Sequence, residues 1–118
     1  MEMAQLRFLG ACRGVGRSSF WFSHKGLNIV LDAGMDVGAE GESRYPLIED
    51  RDMQSIDFLI VSHAHLDHSG YVPYMVRKGF RGIILCTQGT RDVMELLWLD
   101  AAKIGKENRD ALFNENDV

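Results

Sequence analysis

At 118 residues the chain is one domain or part of one, and its 46% hydrophobic content supplies a real core and excludes a disordered chain. A formal net charge of -4 argues against a generally basic protein that coats nucleic acid, but not against a nucleic-acid enzyme whose metal site holds phosphates. The two cysteines, Cys12 and Cys86, lack metal-type spacing and flank apolar segments, so buried free thiols in a reducing compartment are expected. Residues Met1 to Gln5 lack the basic and apolar parts of a signal peptide, and no apolar run approaches membrane-spanning length. The expected location is cytoplasmic, with no membrane contact.

In chain order, Ala4 to Leu9 is a short first strand. Gly10, Gly14 and Gly16 then break the pattern around Cys12, Arg13 and Arg17. Gly14-Val15-Gly16 could cradle a phosphate, but no helix follows; Ser19 to Ser23 looks like another strand, so a glycine-rich turn is the better reading. Its arginines are solvated by default, with an anionic substrate as the alternative. His24 to Asn28 forms a hairpin turn in which Gly26 supplies the unusual backbone angle. A third strand, Asn28 to Leu31, delivers Asp32 at its end. That carboxylate either caps the next turn or orients a metal-bound histidine from outside the ligand shell.

Met35 to Ser55 shows no clear periodicity and reads as a long loop with a short turn around Tyr45-Pro46-Leu47-Ile48. Loops of this length in a compact domain are often functional. The apolar run Phe58-Leu59-Ile60-Val61 reads as a buried strand. Further on, Ser69 to Lys78 reads as a helix with Pro73 in its first turn and Gly79 as its C-terminal cap. Gly82 to Cys86 reads as a buried strand. A longer helix, capped by Thr90 or Asp92, runs to about Lys106, with Met94, Leu97, Trp98, Ala101 and Ile104 on its packing face. The tail from Glu107 to Val118 is mostly polar. The alternation of strands and helices in the second half points to an α/β fold, a sheet backed by helices on one face whose other face needs a partner.

The segment after the fourth strand carries the chemistry. Ser62-His63-Ala64-His65-Leu66-Asp67-His68-Ser69-Gly70 holds three of the four histidines in the chain. In an extended segment, side chains at i and i+2 leave on the same side, so His63 and His65 can converge on one point. Asp67 and His68 lie where a helix begins, and the bend can turn them toward the same pocket. Imidazoles and carboxylates are the usual ligands of a catalytic zinc. Four donors within six residues suit two ions that share ligands.

His63-Ala64-His65-Leu66-Asp67-His68, with Asp32 closing an earlier strand, resembles the signature of the metallo-β-lactamase superfamily. The flanking words Leu31-Asp32-Ala33-Gly34, Asp57 to Ser62 and Ser69-Gly70-Tyr71-Val72-Pro73 resemble its β-CASP branch of RNA-processing nucleases. Thr87 to Asp92 leading into Leu96-Leu97-Trp98-Leu99-Asp100 adds to that likeness, which runs from about Leu6 to Ile104. The resemblance implies an αββα sandwich, of which residues 1–118 make the N-terminal portion, with a mixed sheet and helices on one face. It implies that His63 and His65 hold one zinc ion and Asp67 and His68 the other. Asp67 and Asp32 are then the catalytic carboxylates, Asp32 as the supporting acid. The implied substrate is an RNA phosphodiester, cleaved by in-line attack of water with two ions lowering the pKa of that water.

The later ligands of that family, a further histidine, a bridging aspartate and a last histidine, have no counterpart after His68. The isolated chain is therefore expected to be inactive, with a second chain or a homodimer covering the apolar sheet face. Two other functions compete: a thioester- or lactam-hydrolase segment, and a non-catalytic interaction module that keeps the half-fold.

Overall fold

The computed structural model describes residues 3–108 and 113–118. Five strands form one sheet in sequence order: β1 (Gln5–Gly10), β2 (Ser19–His24), β3 (Leu27–Leu31), β4 (Phe58–Ile60) and β5 (Ile83–Leu85). The first three make an antiparallel meander, and β3, β4 and β5 run parallel. The β2–β3 turn is the expected tight one, with Lys25 (φ 50°) and Gly26 (φ 78°) both left-handed. Parallel strands need crossovers. Residues 32–57, with two 3-10 turns, join β3 to β4; α1 (Leu66–Ser69) and α2 (Val72–Arg77) lie between β4 and β5, and α3 (Gln88–Asn108) follows β5.

Strand periodicity sorts the side chains into two sets. On the helix side, Trp21, Val30 and Leu59 are buried under Met53, Ile56, Tyr71, Val72, Met75, Phe80 and Met94. On the other side, register brings Leu6 opposite Phe22, Phe22 opposite Ile29, Ile29 opposite Phe58 and Phe58 opposite Ile83. A second row of Phe8, Phe20, Leu31, Ile60 and Leu85 runs beside it. Every residue in these two rows is exposed or half-buried.

Four sequence expectations change here. The Gly82–Cys86 run is a strand but not a buried one: Ile83, Ile84 and Leu85 are 56%, 36% and 46% exposed, because β5 ends the sheet and one face has no cover. Ile60 in β4 is likewise exposed, although its neighbour Leu59 is buried. Cys12 and Cys86 are free, as expected, yet exposed; both follow strand ends in loops at the sheet edge. The long loop has its short turn where expected, Ile48 N donating to Pro46 O at 2.9 Å, but it is more regular than expected, with 3-10 turns at Gly41–Arg44 and Asp50–Ser55 on either side.

The Ser69–Lys78 helix is two helices, and the break has a non-local cause. The Asp67 carbonyl accepts from Ser18 N (3.0 Å), and Tyr71 N donates to Ala33 O (2.9 Å). The helical bond between those two groups is therefore not made. Pro73 sits in the first turn of α2, where its missing N–H costs nothing, and Gly79 (φ 110°) follows that helix as its left-handed stop. Helix α3 starts before Thr90 and Asp92, since the hydroxyl of Thr87 accepts from Thr90 N at 3.1 Å. Met94 is buried, and Leu97 and Trp98 pack on the core; Ile104, placed on that face by its period, is half exposed. The tail expectation falls in part on residues 109–112, outside the described residues.

Candidate metal centre

Strands β1, β3, β4 and β5 share one direction, so the segments leaving their C-terminal ends gather at one edge of the sheet. Asp32 leaves β3 there and Ser62–His63 leave β4. Two close backbone contacts draw the segments together. Ala33 N donates to His68 O (3.0 Å) and Met35 N to Leu66 O (2.8 Å). The Asp67 carbonyl lies so close to Gly34 that no Cβ fits there.

Asp32 is the hub. It is 7% exposed and sits at φ 59°, a left-handed conformation that aspartate tolerates better than most residues. Its Oδ1 accepts from Ser62 N at 2.7 Å, and its Oδ2 accepts from Ser62 Oγ at 2.7 Å. His68 Nδ1 lies 2.7 Å from the same Oδ2. Of the two readings open for Asp32 in the sequence, orientation of a histidine is the one its side chain performs.

This network assigns the tautomers. An ionised carboxylate only accepts, so His68 carries a proton on Nδ1, and in the neutral ring the lone pair lies on Nε2. The single hydroxyl proton of Ser62 points to Asp32, so Ser62 Oγ accepts from His63 Nδ1, 3.1 Å away. In the neutral ring His63 likewise keeps its lone pair on Nε2. Ser62 had no role in the sequence reading; a hydroxyl residue directly before the first histidine was the available signal.

His63, Asp67 and His68 form the cluster, each offering a ligand atom within 4.8 Å of the others. The His63 and His68 rings are 3.9 Å apart, centre to centre. His68 Nε2 faces Asp67 Oδ2 at 3.4 Å, lone pair toward lone pair in the assigned tautomer. Two donors at zinc bond lengths around a tetrahedral ion are themselves about 3.3 Å apart. The donor chemistry suits a metal ion and the His68–Asp67 pair has the spacing of two ligands on one such ion, while a histidine backed by a carboxylate is the usual outer support of a metal ligand.

His65 stands apart. Strand β4 ends at Ile60, so residues 63–65 follow a bend instead of an extended run, and the i, i+2 convergence is not what places them. The exposed His65 ring is edge-on to His63 at 5.1 Å, and its carbonyl starts α1 by accepting from His68 N and Ser69 N. Nearby, the Tyr71 phenol is pushed above its ordinary pKa by burial, with Tyr74, Asp50 and Tyr45 adding to the shift.

A mixed sheet with helices on one face and a histidine–aspartate cluster at the strand ends defines a metallo-β-lactamase type of domain. The sequence profile of the metallo-beta-lactamase superfamily matches residues 12–104, and the chain belongs to that superfamily. The chain is 37% identical to the transcription termination factor FttA of Methanothermobacter thermautotrophicus over 121 aligned positions, covering 99% of the chain and 19% of the relative. It is 37% identical to subunit 3-I of the cleavage and polyadenylation specificity factor of Arabidopsis thaliana, covering 93% of the chain and 16% of that protein. The endoribonuclease ysh1 of Schizosaccharomyces pombe is also 37% identical, with 93% and 15% covered. These are β-CASP relatives, as the flanking words of the sequence implied. The chain spans less than a fifth of their length.

Proposed function

We propose that this chain is the metal-binding N-terminal segment of a hydrolase that cleaves RNA phosphodiesters. The observation that carries it is the pairing of two bare Nε2 atoms with the Asp67 carboxylate, each imidazole held by a hydrogen bond behind it. His68 and Asp67 would hold one zinc ion, and His63 with its neighbour His65 a second. Bound zinc would supply charge to polarise a phosphoryl oxygen and lower the pKa of water. Asp32 keeps the Nδ1 proton on His68 and fixes the ring plane. Ser62 does the same for His63.

RNA as substrate rests on the relatives, two of them a named endoribonuclease and a cleavage and polyadenylation factor. The complete ligand set, and with it activity, then belongs to a larger assembly. The open sheet face supports this. The chain exposes 7600 Å², against about 6,500 Å² for a compact monomer of its mass. That excess is of the order of one side of a standard interface. Protein beyond these 118 residues, in a second chain, a second copy or a longer polypeptide, supplies the cover.

Elemental analysis of the purified chain after dialysis against a weak chelator is the test. Close to one or two ions per chain sustains the reading, and little or none means the cluster is too weak to function alone. Metal-dependent RNA cleavage by the pure chain, abolished in His65→Ala, would overturn the expectation of inactivity.

A further inference from the structure

The segment after β1 also reaches the edge that carries the metal cluster. Two backbone hydrogen bonds fasten it there: Ser18 N to Asp67 O (3.0 Å) and Gly34 N to Ser18 O (3.0 Å). Between Gly10 and Ser18 the chain is left-handed at Ala11 (φ 60°), Gly16 (φ 93°) and Arg17 (φ 45°). For the two residues with side chains, such a backbone costs on the order of 1–3 kcal/mol each and persists only where its surroundings enforce it. The loop lines a cavity of about 590 Å³ together with Asp36, Ala39 and Ser43.

Two arginines face this region and differ. Arg17 is half-buried, and its guanidinium reaches the Tyr45 carbonyl at 3.5 Å. Arg13 is exposed, and among the described residues no carboxylate pairs with it. Asp36, the acid lining the cavity, turns one oxygen to Gly38 N at 3.1 Å. On a chain of net charge -4, a polyanion is repelled at long range, so a phosphate at this edge needs a local cation. A guanidinium offers a planar fork of donors that matches phosphate in two-point contact.

We propose that Arg13 is a positioning residue for single-stranded RNA, gripping a backbone phosphate of a strand that runs along the edge carrying His63, Asp67 and His68. This rests on the RNA reading above, but the contact itself needs no metal. It is an ionic contact on the same edge of the sheet as the cluster, distinct from the ligands.

Binding of a short fluorescent single-stranded RNA to the chain, followed by anisotropy across a salt series with chelator present, tests it. Arg13→Ala is expected to weaken binding about tenfold at low salt. It should also lower the slope of log affinity against log salt by about 0.7, the release expected for one phosphate contact on a single strand. Arg13→Glu should weaken binding further. Arg81→Ala removes the same charge from an exposed position just before β5, at the opposite edge, and should leave the slope unchanged. Equal losses in Arg13→Ala and Arg81→Ala, or no loss in Arg13→Ala, overturn the proposal while leaving the RNA reading intact. No binding by the unmodified chain in chelator also overturns it, and the zinc content then judges the metal reading separately.

Discussion

Neighbouring residues of one strand experience opposite surroundings in this molecule. In β4, Leu59 is fully buried beneath the helices while Ile60, one position on, is 37% exposed. In β3 the same contrast separates Val30, fully buried, from Leu31 at 38%. The open face is if anything the more apolar, since the covered one carries Arg7, Ser23 and Asn28 beside Trp21, Val30 and Leu59, so composition does not distinguish a finished core from an unfinished one. What differs is the second layer. The helix side has three helices and a long loop to bury it. The other side presents two apolar rows that span all five strands and receive nothing from the described residues. A contiguous apolar surface of this kind is unusual for a solvent-facing wall.

Substitutions in β4 sharpen that contrast most. Leu59→Ala should cost about 2–5 kcal/mol in urea unfolding, the range for emptying a filled core position. Ile60→Ala should cost less than about 1 kcal/mol, as for a partly exposed side chain. Equal costs would break the comparison, because they would mean that the open face is covered in solution.

At the edge where the faces meet, Asp32→Asn should weaken zinc binding about 10–100-fold, measured by competition with a chelating dye. The amide has only one acceptor oxygen for the three donors that converge on Asp32. On the covered side, Tyr71 holds its proton more tightly folded than unfolded. Its share of stability is therefore present below the unfolded pKa of about 10 and is lost as pH rises above it, by about 1.4 kcal/mol per unit. Tyr71→Phe should flatten that alkaline loss in unfolding titrations. The smallest effect is expected on the open side: Phe8→Ser should alter stability by less than about 0.5 kcal/mol. Its signature lies elsewhere, in reduced self-association by light scattering.

Much of this architecture was legible in the chain. The alternation in Leu6 to Phe8 and Phe20 to Phe22, the Gly26 turn and the helical spacing of Met94, Leu97 and Trp98 gave elements in the right order. The clustering of His63, Asp67 and His68 was readable because those residues are adjacent in sequence. Other features depend on residues far apart. The helix break at Gly70–Tyr71 is made by Ser18 and Ala33, more than thirty positions upstream in the second case and farther in the first. The exposure of Ile83 and Leu85 depends on a layer that no local pattern encodes. Thr87 and Thr90 are equally good caps by residue type, and the hydrogen bond alone separates them. Ser62 acquires its role only when β3 places Asp32 beside it.

The Lys25–Gly26 reversal has a practical use. It joins β2 to β3 at the edge opposite Asp32 and His63, both of its residues are exposed, and a Cβ at Gly26 would meet no atom within 4 Å. Exposed turn tips accept inserted sequence more readily than any other position. A fluorescent or affinity module spliced there would tether the protein by its far end, leaving both the histidine–aspartate edge and the open apolar face unobstructed.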